Sequence, residues 1–372
     1  MFNIFNQKQV NYSLFPEPYP AKATPCYQVH ASIVKNKLDY LRQTLSEKNI
    51  KSIIAVSFKT NYEFATSRFP HQNEMYAETV SEHEYKMAQK SKFVNKNIII
   101  NGPFKGNLSQ YTSSIIHLDN FAEIKSVRNT KSVIGIRLNT NIVNSRFGFN
   151  IENGEAAKAL LLLSSKNISI KSLHIHIGSD ISDPILYQKT ALKIAQFVKQ
   201  NKLNLEYIDF GGGFPAHGAT PYGRKNQPFR DISEYINAIS TFFDNINYRP
   251  ILILEPGRYL IDDAVCFITQ VISKKLDQKC ELLTVDSTIN MLPSLWYRPA
   301  TINVFDNHFK IKSTTSINVK IFGCSCQEHD VLYQGKLPTV EIGDYIVFYA
   351  VGAYNQSMAP EFIFSKPATY FI

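Results

Sequence analysis

Leu173-His174-Ile175-His176-Ile177-Gly178-Ser179 closes an alternating apolar run. Read from its start as Asn167-Ile168-Ser169-Ile170-Lys171-Ser172-Leu173-His174-Ile175, that run has the pattern of a buried β-strand. Polar residues gather at its C-terminal end, where the βα loops of parallel sheets and barrels open and ligands bind. A planar imidazole, then a glycine, then a hydroxyl suits a flat ring that carries a phosphate. A strand-end histidine satisfied by structural hydrogen bonds is the competing reading, and the rest of the chain has to decide between them.

On either side of this stretch apolar strands alternate with amphipathic helices. Ile33, Leu38, Leu41 and Leu45 space a helix from Ser32, and Ile53 to Phe58 form an apolar strand that ends in Lys59. A short strand near Glu78 to Ser81, a helix over Glu82 to Lys90, and strands at Ile98 to Ile100, Ile115 to Leu118 and Val133 to Leu138 follow. Beyond a helix at Glu155 to Leu163 and the opening strand come a helix at Tyr187 to Lys199, a strand at Tyr207 to Phe210, a helix at Ile232 to Phe243 and a strand at Ile251 to Leu254. About eight strand-helix alternations predict an α/β fold, a (β/α)8 TIM barrel. After Arg258 the pattern changes to short β-branched runs at Ala264 to Ile272, Leu282 to Val285, Val319 to Phe322 and Tyr345 to Tyr349. These predict a second, all-β domain. The proline-rich start, with Pro16, Pro18, Pro20 and Pro25, is extended rather than helical because each proline lacks an amide proton and restricts its predecessor. The expected division is 1–30 as an extended segment packing with the β domain, 31–261 as the barrel, and 262–372 as a β-sandwich or β-barrel.

With 372 residues, 44% hydrophobic and 19% charged, the chain has the composition of an ordinary globular protein. It contains no apolar run of about 18 residues, so no membrane span is expected, and Met1 to Lys8 lack the pattern of a secretory signal. Forty basic against 31 acidic residues give a formal charge of +9. The basic residues are scattered and accompany no nucleic-acid module, so no nucleic-acid partner is expected. Five cysteines, Cys26, Cys266, Cys280, Cys324 and Cys326, are odd in number and irregularly spaced, which fits a reducing, cytoplasmic setting.

Three further segments bear on the chemistry. Lys59 ends its strand where its amine would enter a barrel mouth, and a desolvated lysine there can form a Schiff base. Gly211-Gly212-Gly213, after Asp209-Phe210, is either a flexible turn or a place where backbone N–H groups approach a phosphate closely. Glu255-Pro256-Gly257-Arg258 puts two charges at the end of an apolar strand, a costly location unless each is partnered. They are either a mutual ion pair, or Glu255 faces a pyridine nitrogen and makes the ring an electron sink.

A lysine, a ring-stacking histidine with a serine, a glycine cradle and a strand-end glutamate are together the parts needed to hold pyridoxal 5′-phosphate. The chain resembles the fold type III (alanine-racemase-fold) pyridoxal phosphate decarboxylases, the group of diaminopimelate, ornithine and carboxynorspermidine decarboxylases. The matching stretches run from Thr24-Pro25 through Ser57-Phe58-Lys59-Thr60-Asn61, Asn101-Gly102-Pro103-Phe104-Lys105, Ser145-Arg146-Phe147-Gly148-Phe149, His174 to Ser179, Gly211 to Pro215, Glu255 to Arg258 and Gly323 to Leu332, to Gly352-Ala353-Tyr354. The resemblance implies that Lys59 bonds the cofactor, His176 stacks on its ring, and Ser179, Gly211, Gly212, Gly213, Gly257, Arg258 and Tyr354 surround its phosphate. It further implies that Glu255 pairs with the ring nitrogen and that Arg146, oriented by Glu78, lies on the phenolate side. Cys326 would be a catalytic cysteine delivered by the neighbouring subunit of a head-to-tail homodimer with shared active sites, and Arg298, Gln327 and Asp330 would face the amino acid substrate. Cys324-x-Cys326 with His329 lacks a fourth ligand at standard spacing, so no metal is expected.

Two departures bear on the substrate. Where diaminopimelate and ornithine decarboxylases carry an acid after the cysteine, this chain has the neutral Gln327. Where diaminopimelate decarboxylases read Arg-Pro-Ala-Leu-Tyr, it reads Arg298-Pro299-Ala300-Thr301-Ile302. A free distal ammonium would lose a charge-assisted hydrogen bond of about 1.5 to 3 kcal/mol, roughly ten- to a hundredfold in affinity. The expectation is therefore a decarboxylase of an α-amino acid centre, on a diamino acid or a modified or conjugated amino acid of polyamine, siderophore or other specialised metabolism. The alternatives are a diaminopimelate, ornithine or lysine decarboxylase proper, a racemase on the same fold, and a non-catalytic binding homologue.

Overall fold

The computed structural model describes residues 15–128, 131–218, 228–277, 280–313 and 316–372. They fall into two compact units: residues 36–215 with 228–259, and the described parts of 1–35 and 216–227 with 260–372. Strand β1 (Cys26–Val29) belongs to the second unit. The first is built on β2 (Ser52–Ser57), β3 (Tyr76–Thr79), β4 (Ile98–Ile100), β5 (Ile115–Leu118), β6 (Val133–Asn139), β7 (Phe149–Asn150), β8 (Ser172–His174), β9 (Tyr207–Asp209) and β10 (Ile251–Leu254).

All pairings in this sheet are parallel. They run β5-β4-β3-β2-β10-β9-β8-β6, and a β5–β6 ladder closes the ring into the eight-stranded barrel, with β7 added on the outer side of β6. The strands are short and apolar because both faces are covered; Ile98, Ile99 and Ile100 are all fully buried. Burial of each such side chain stabilises by about 1.5 to 3 kcal/mol. Crossover helices at Glu82–Lys90, Glu155–Ser165, Ile185–Gln200 and Ile232–Asp244 lie close to the expected bounds. Ser81 caps the first through the Glu84 amide, and Asp231 opens the last with a capping box completed by Glu234.

The opening strand is shorter than its alternation predicts. Asn167 leaves the preceding helix at φ 57°, the Ile168 amide still bonds back to Leu163, and only Ser172–His174 pair on both sides.

The second unit is a sheet of β1 with β11 (Val265–Asp277), β12 (Cys280–Val285), β13 (Thr301–Phe305), β14 (Ser316–Phe322), β15 (Val331–Pro338), β16 (Tyr345–Tyr349) and β17 (Ala368–Phe371). The long β11 shifts register between Val271 and Ser273. Its first half pairs with β1 and β16, its second with β12. The N-terminal segment thus joins the β unit, and Cys26 packs with Cys266, Ile268, Phe305, Val347 and Tyr349 in its core. Among the described residues no helix is long and apolar enough to cross a membrane.

Candidate active site

Lys59 sits in the 3-10 turn Phe58–Thr60 immediately after β2. Its amine donates to Glu78 Oε2 at 2.5 Å and to Ser57 Oγ at 2.9 Å, and Ser57 Oγ donates in turn to Glu78 at 2.5 Å. Strand register creates this meeting, since Ser57 on β2 lies opposite Glu78 on β3. The Glu78 side chain is 1% exposed and that of Lys59 32%, so the amine is anchored on a buried acid.

Glu255, just past β10, accepts a hydrogen bond from the Asn101 amide, which also reaches Glu78 Oε1 at 3.4 Å. Register across β6, β8 and β9 sets Arg137, His174 and Asp209 side by side. His174, Asp209 and Glu255 are all buried, with ligating atoms within 4.8 Å of one another. Burial pushes both carboxyls above their ordinary range, and the charges of Asp209 and Glu78 add to the rise at Glu255, so the acid pair retains a proton. The imidazoles go the other way. Burial, reinforced by Lys105 and Arg137, holds His117 at about 3. His176 is held at about 3 by its dense surroundings and the charges of Lys59 and Arg137. Both are neutral at any ordinary working pH.

On the opposite side His176 Nδ1 accepts from the Gly212 amide at 3.3 Å, and Asp209 Oδ1 accepts from Gly211 at 2.8 Å. A Cβ at Gly212 would stand 2.1 Å from the Glu255 carbonyl oxygen, and Gly213 has φ +92° with Gly178 O in the way of any side chain. The triple glycine is therefore a close-approach turn and not a hinge. Ser179 is exposed in the loop after β8. Its neighbour Asp180 lies 3.3 Å from Arg258 Nε, so Arg258 leans on Asp180, and Glu255 forms no ion pair with it among the described residues. The reading of Glu255 and Arg258 as a mutual pair is thereby replaced. Gly257 abuts Thr60, whose Oγ1 would be 2.2 Å from an added Cβ.

Arg146 differs from expectation. It is exposed and lies over the Phe147 ring at 4.5 Å, while Glu78 is engaged by Lys59, Ser57 and Asn101. Arg137 is buried, 3.4 Å from Asp119; burial lowers its pKa, and the charges of Asp119, Glu255 and Glu78 oppose that fall.

In the β unit Cys326 is exposed and Gln327 partly so, on the loop between β14 and β15. Asp330, expected to face substrate, is 1% exposed. Its Oδ1 accepts from Ile289 N at 2.7 Å and its Oδ2 from Ser325 N at 3.1 Å and from Ser325 Oγ. Its carboxylate holds the cysteine loop. Arg298, also expected at the substrate, is buried and donates to Asp262 Oδ2 at 2.6 Å. Asp262 Oδ1 accepts from Ala353 N at 2.9 Å, next to Tyr354. Tyr354 has φ 63°, a left-handed conformation that a bulky residue adopts only when its surroundings fix it.

Five contributors at the barrel's polar end, Asn101, His117, Ser172, His174 and Asp209, carried no role in the sequence reading. The signal was a polar residue at the inward position of an otherwise apolar strand, but which of them meet depends on register between strands distant in sequence.

Residues 57–262 match the family described as pyridoxal-dependent decarboxylase, pyridoxal binding domain, and 258–352 match its C-terminal sheet domain. The chain belongs to this family. Across 90% of its length it is 26% identical to 83% of the diaminopimelate decarboxylase of Methanocaldococcus jannaschii. The crystal structure of that enzyme superposes with a TM-score of 0.79 at 24% identity, over 94% of this chain and 87% of the other. The arginine decarboxylase of Paramecium bursaria Chlorella virus does so with 0.79 at 19%, over 94% and 96%. The protein is a pyridoxal phosphate-dependent amino acid decarboxylase, a carboxy-lyase.

The barrel residues suit that cofactor. Both His174 ring nitrogens and Asp209 Oδ2 are buried without a hydrogen-bond partner, beside an acid pair that keeps a proton to share with a ring nitrogen. The glycine turn packs its bare backbone against His176, Glu255 and Gly178, which places main-chain groups with no side chain at the end of β9.

Proposed function

We propose that the amino acid decarboxylated by this protein carries no free distal ammonium, as in a modified or conjugated amino acid, and that the working unit is a head-to-tail homodimer. The single observation that carries the substrate reading is Gln327, a neutral residue on the exposed loop of Cys326. An acid there would offer a distal ammonium a charge-assisted hydrogen bond; an amide offers a polar group of the substrate a neutral one.

Pyridoxal phosphate, when bound, supplies an electron sink for cleavage of the bond between Cα and the carboxylate. The chain's own groups do the rest. Lys59 would hold the cofactor through its Nζ, which Glu78 and Ser57 orient. Glu255 would face the ring nitrogen, His176 would cover the ring, and Ser179, Gly211 to Gly213, Gly257, Arg258 and Tyr354 would hold the phosphate. The Cys326 thiol of one subunit delivers a proton to the reacting carbon in the barrel of the other.

Release of CO2 is the test, measured over ornithine, lysine, arginine, diaminopimelate and their N-acylated, carboxyalkyl and carrier-linked derivatives. Turnover concentrated on a derivatised substrate is expected, and equal turnover of all the free diamino acids overturns the reading of Gln327. Sedimentation gives the assembly.

A further inference from the structure

Asn101, His117 and Ser172 stand on or just past three different barrel strands and are joined by hydrogen bonds whose polarity is set by the orientation of the Asn101 amide. Asn101 Nδ2 donates to Glu255 Oε1 and reaches Glu78 Oε1 at 3.4 Å. Its Oδ1 therefore points away, 2.7 Å from His117 Nδ1, and His117 Nε2 is 2.7 Å from Ser172 Oγ. An amide oxygen only accepts, so Nδ1 must carry the imidazole proton. Nε2 is then a lone pair, and Ser172 must donate to it. The other histidine tautomer would set two lone pairs against each other unless the Asn101 amide turned, and a turned amide would no longer donate from Nδ2 to Glu255 and Glu78.

The barrel is shaped around this chain of contacts. A Cβ at Gly135 would stand 2.7 Å from His117 Cδ2 and 2.5 Å from Ser172 O, and His174 stacks on the His117 ring at 5.1 Å. All three members are nearly or fully buried.

We propose that Asn101, His117 and Ser172 form a one-way hydrogen-bonded relay that presents Glu255 to the cofactor's ring nitrogen, with Asn101 as the positioning residue that also ties Glu255 to the acid holding Lys59. This rests on the role given to Glu255 above. The relay works because His117 does not change charge: burial and the nearby Lys105 and Arg137 keep it neutral, and Asp209 Oδ2, 3.9 Å from its Nδ1, and His174 are the other titratable groups facing it. Ser172 fixes the tautomer, the tautomer fixes the amide, and the amide fixes the carboxyl.

The experiment uses the full-length holoprotein reconstituted with pyridoxal phosphate labelled with 15N in the ring. The nitrogen's chemical shift, which reports its protonation, is followed against pH for the native protein and for Asn101→Leu, His117→Phe and Ser172→Ala. His117→Phe keeps a ring in the stack and removes both hydrogen bonds. The native nitrogen is expected to stay protonated through neutral pH. In Asn101→Leu and His117→Phe its titration moves down by at least about one pH unit, and cofactor affinity falls about tenfold, the size of one lost charge-assisted hydrogen bond. Ser172→Ala moves it in the same direction by less, and Ser172→Thr, which restores a hydroxyl, recovers it. A nitrogen titration unmoved in folded Asn101→Leu and His117→Phe overturns the relay. If neither folds, Ser172→Ala decides alone. Borohydride trapping separates the two layers: a native protein that does not retain label on Lys59 refutes the site itself, whereas label on Lys59 with an unmoved nitrogen refutes the relay only.

Discussion

The Lys59 amine lies 2.5 Å from the Glu78 carboxylate, an ion pair in which the acid is almost completely buried and the base one third exposed. The amine is thus held on a buried acid, the kind of anchor a nucleophile on a floppy four-carbon stem needs.

Replacing Glu78 with alanine removes that anchor and leaves the Ser57 hydroxyl, 2.9 Å from the amine, in place. Capture of pyridoxal phosphate by the cofactor-free variant should slow about tenfold, the value of a lost charge-assisted hydrogen bond. The rate of borohydride-trappable label on Lys59 measures it, and an unchanged rate removes Glu78 from the positioning of the lysine.

Stability of the cofactor-free protein should peak at about pH 6. His117, His174 and His176 are held below their ordinary 6.5 in the folded state. The unfolded chain therefore takes up protons that the folded one refuses, and stability is lost as pH falls below 6.5. Asp209 and Glu255, both raised by burial, act with the opposite sign. The folded protein keeps protons that the unfolded chain releases above about pH 4, so their contribution declines as pH rises through neutrality. Denaturant melts at a series of pH values check this; a profile that rises steadily from pH 6 to pH 8 would contradict the protonated acid pair.

Asp330→Asn sets an amide nitrogen against donors from Ile289 and Ser325, at a cost of about 1 to 3 kcal/mol in stability. Turnover should fall with it, because the loop it holds carries Cys326, while the stoichiometry of cofactor on Lys59 stays at one. Cys326→Ala should reproduce the loss of turnover without the loss of stability. Full turnover in both variants would exclude this loop from the reaction.

Gln327→Glu offers a distal ammonium the anion the native chain withholds. CO2 release from ornithine, lysine or diaminopimelate should improve roughly ten- to a hundredfold in kcat/KM, chiefly through KM. An unimproved KM for every free diamino acid would mean that position 327 does not face the substrate.

Much of the barrel was legible because its elements obey simple periods. The triple isoleucine of β4, the strand Ile251–Leu254 and the helix Glu82–Lys90 carry their state in their own sequence. The β unit was less so. Thr301–Phe305 mixes Asn303 with apolar residues, and Val331–Pro338 contains Gly335 and ends in a proline; only pairing with neighbouring strands makes them sheet. In the site, Lys59 and Glu255 stood out as charges ending apolar strands. The internal partners of Asp330 and Arg298 were not legible, because residue type does not reveal burial, and a carboxylate held by backbone amides reads the same in sequence as one facing a ligand. Asn101 and His117 were silent because their meaning arises only when β4 and β5 lie in register beside each other.

Lys59 follows β2, the first strand of the ring, and Glu255 follows β10, the last, and these two strands pair directly. With the roles proposed above, a cofactor bonded to Lys59 and facing Glu255 would stitch together the strands where the barrel's chain begins and ends. An incompletely synthesised or partly opened chain would have nothing to capture vitamin with, and the loaded enzyme should resist proteolysis longest where its beginning meets its end.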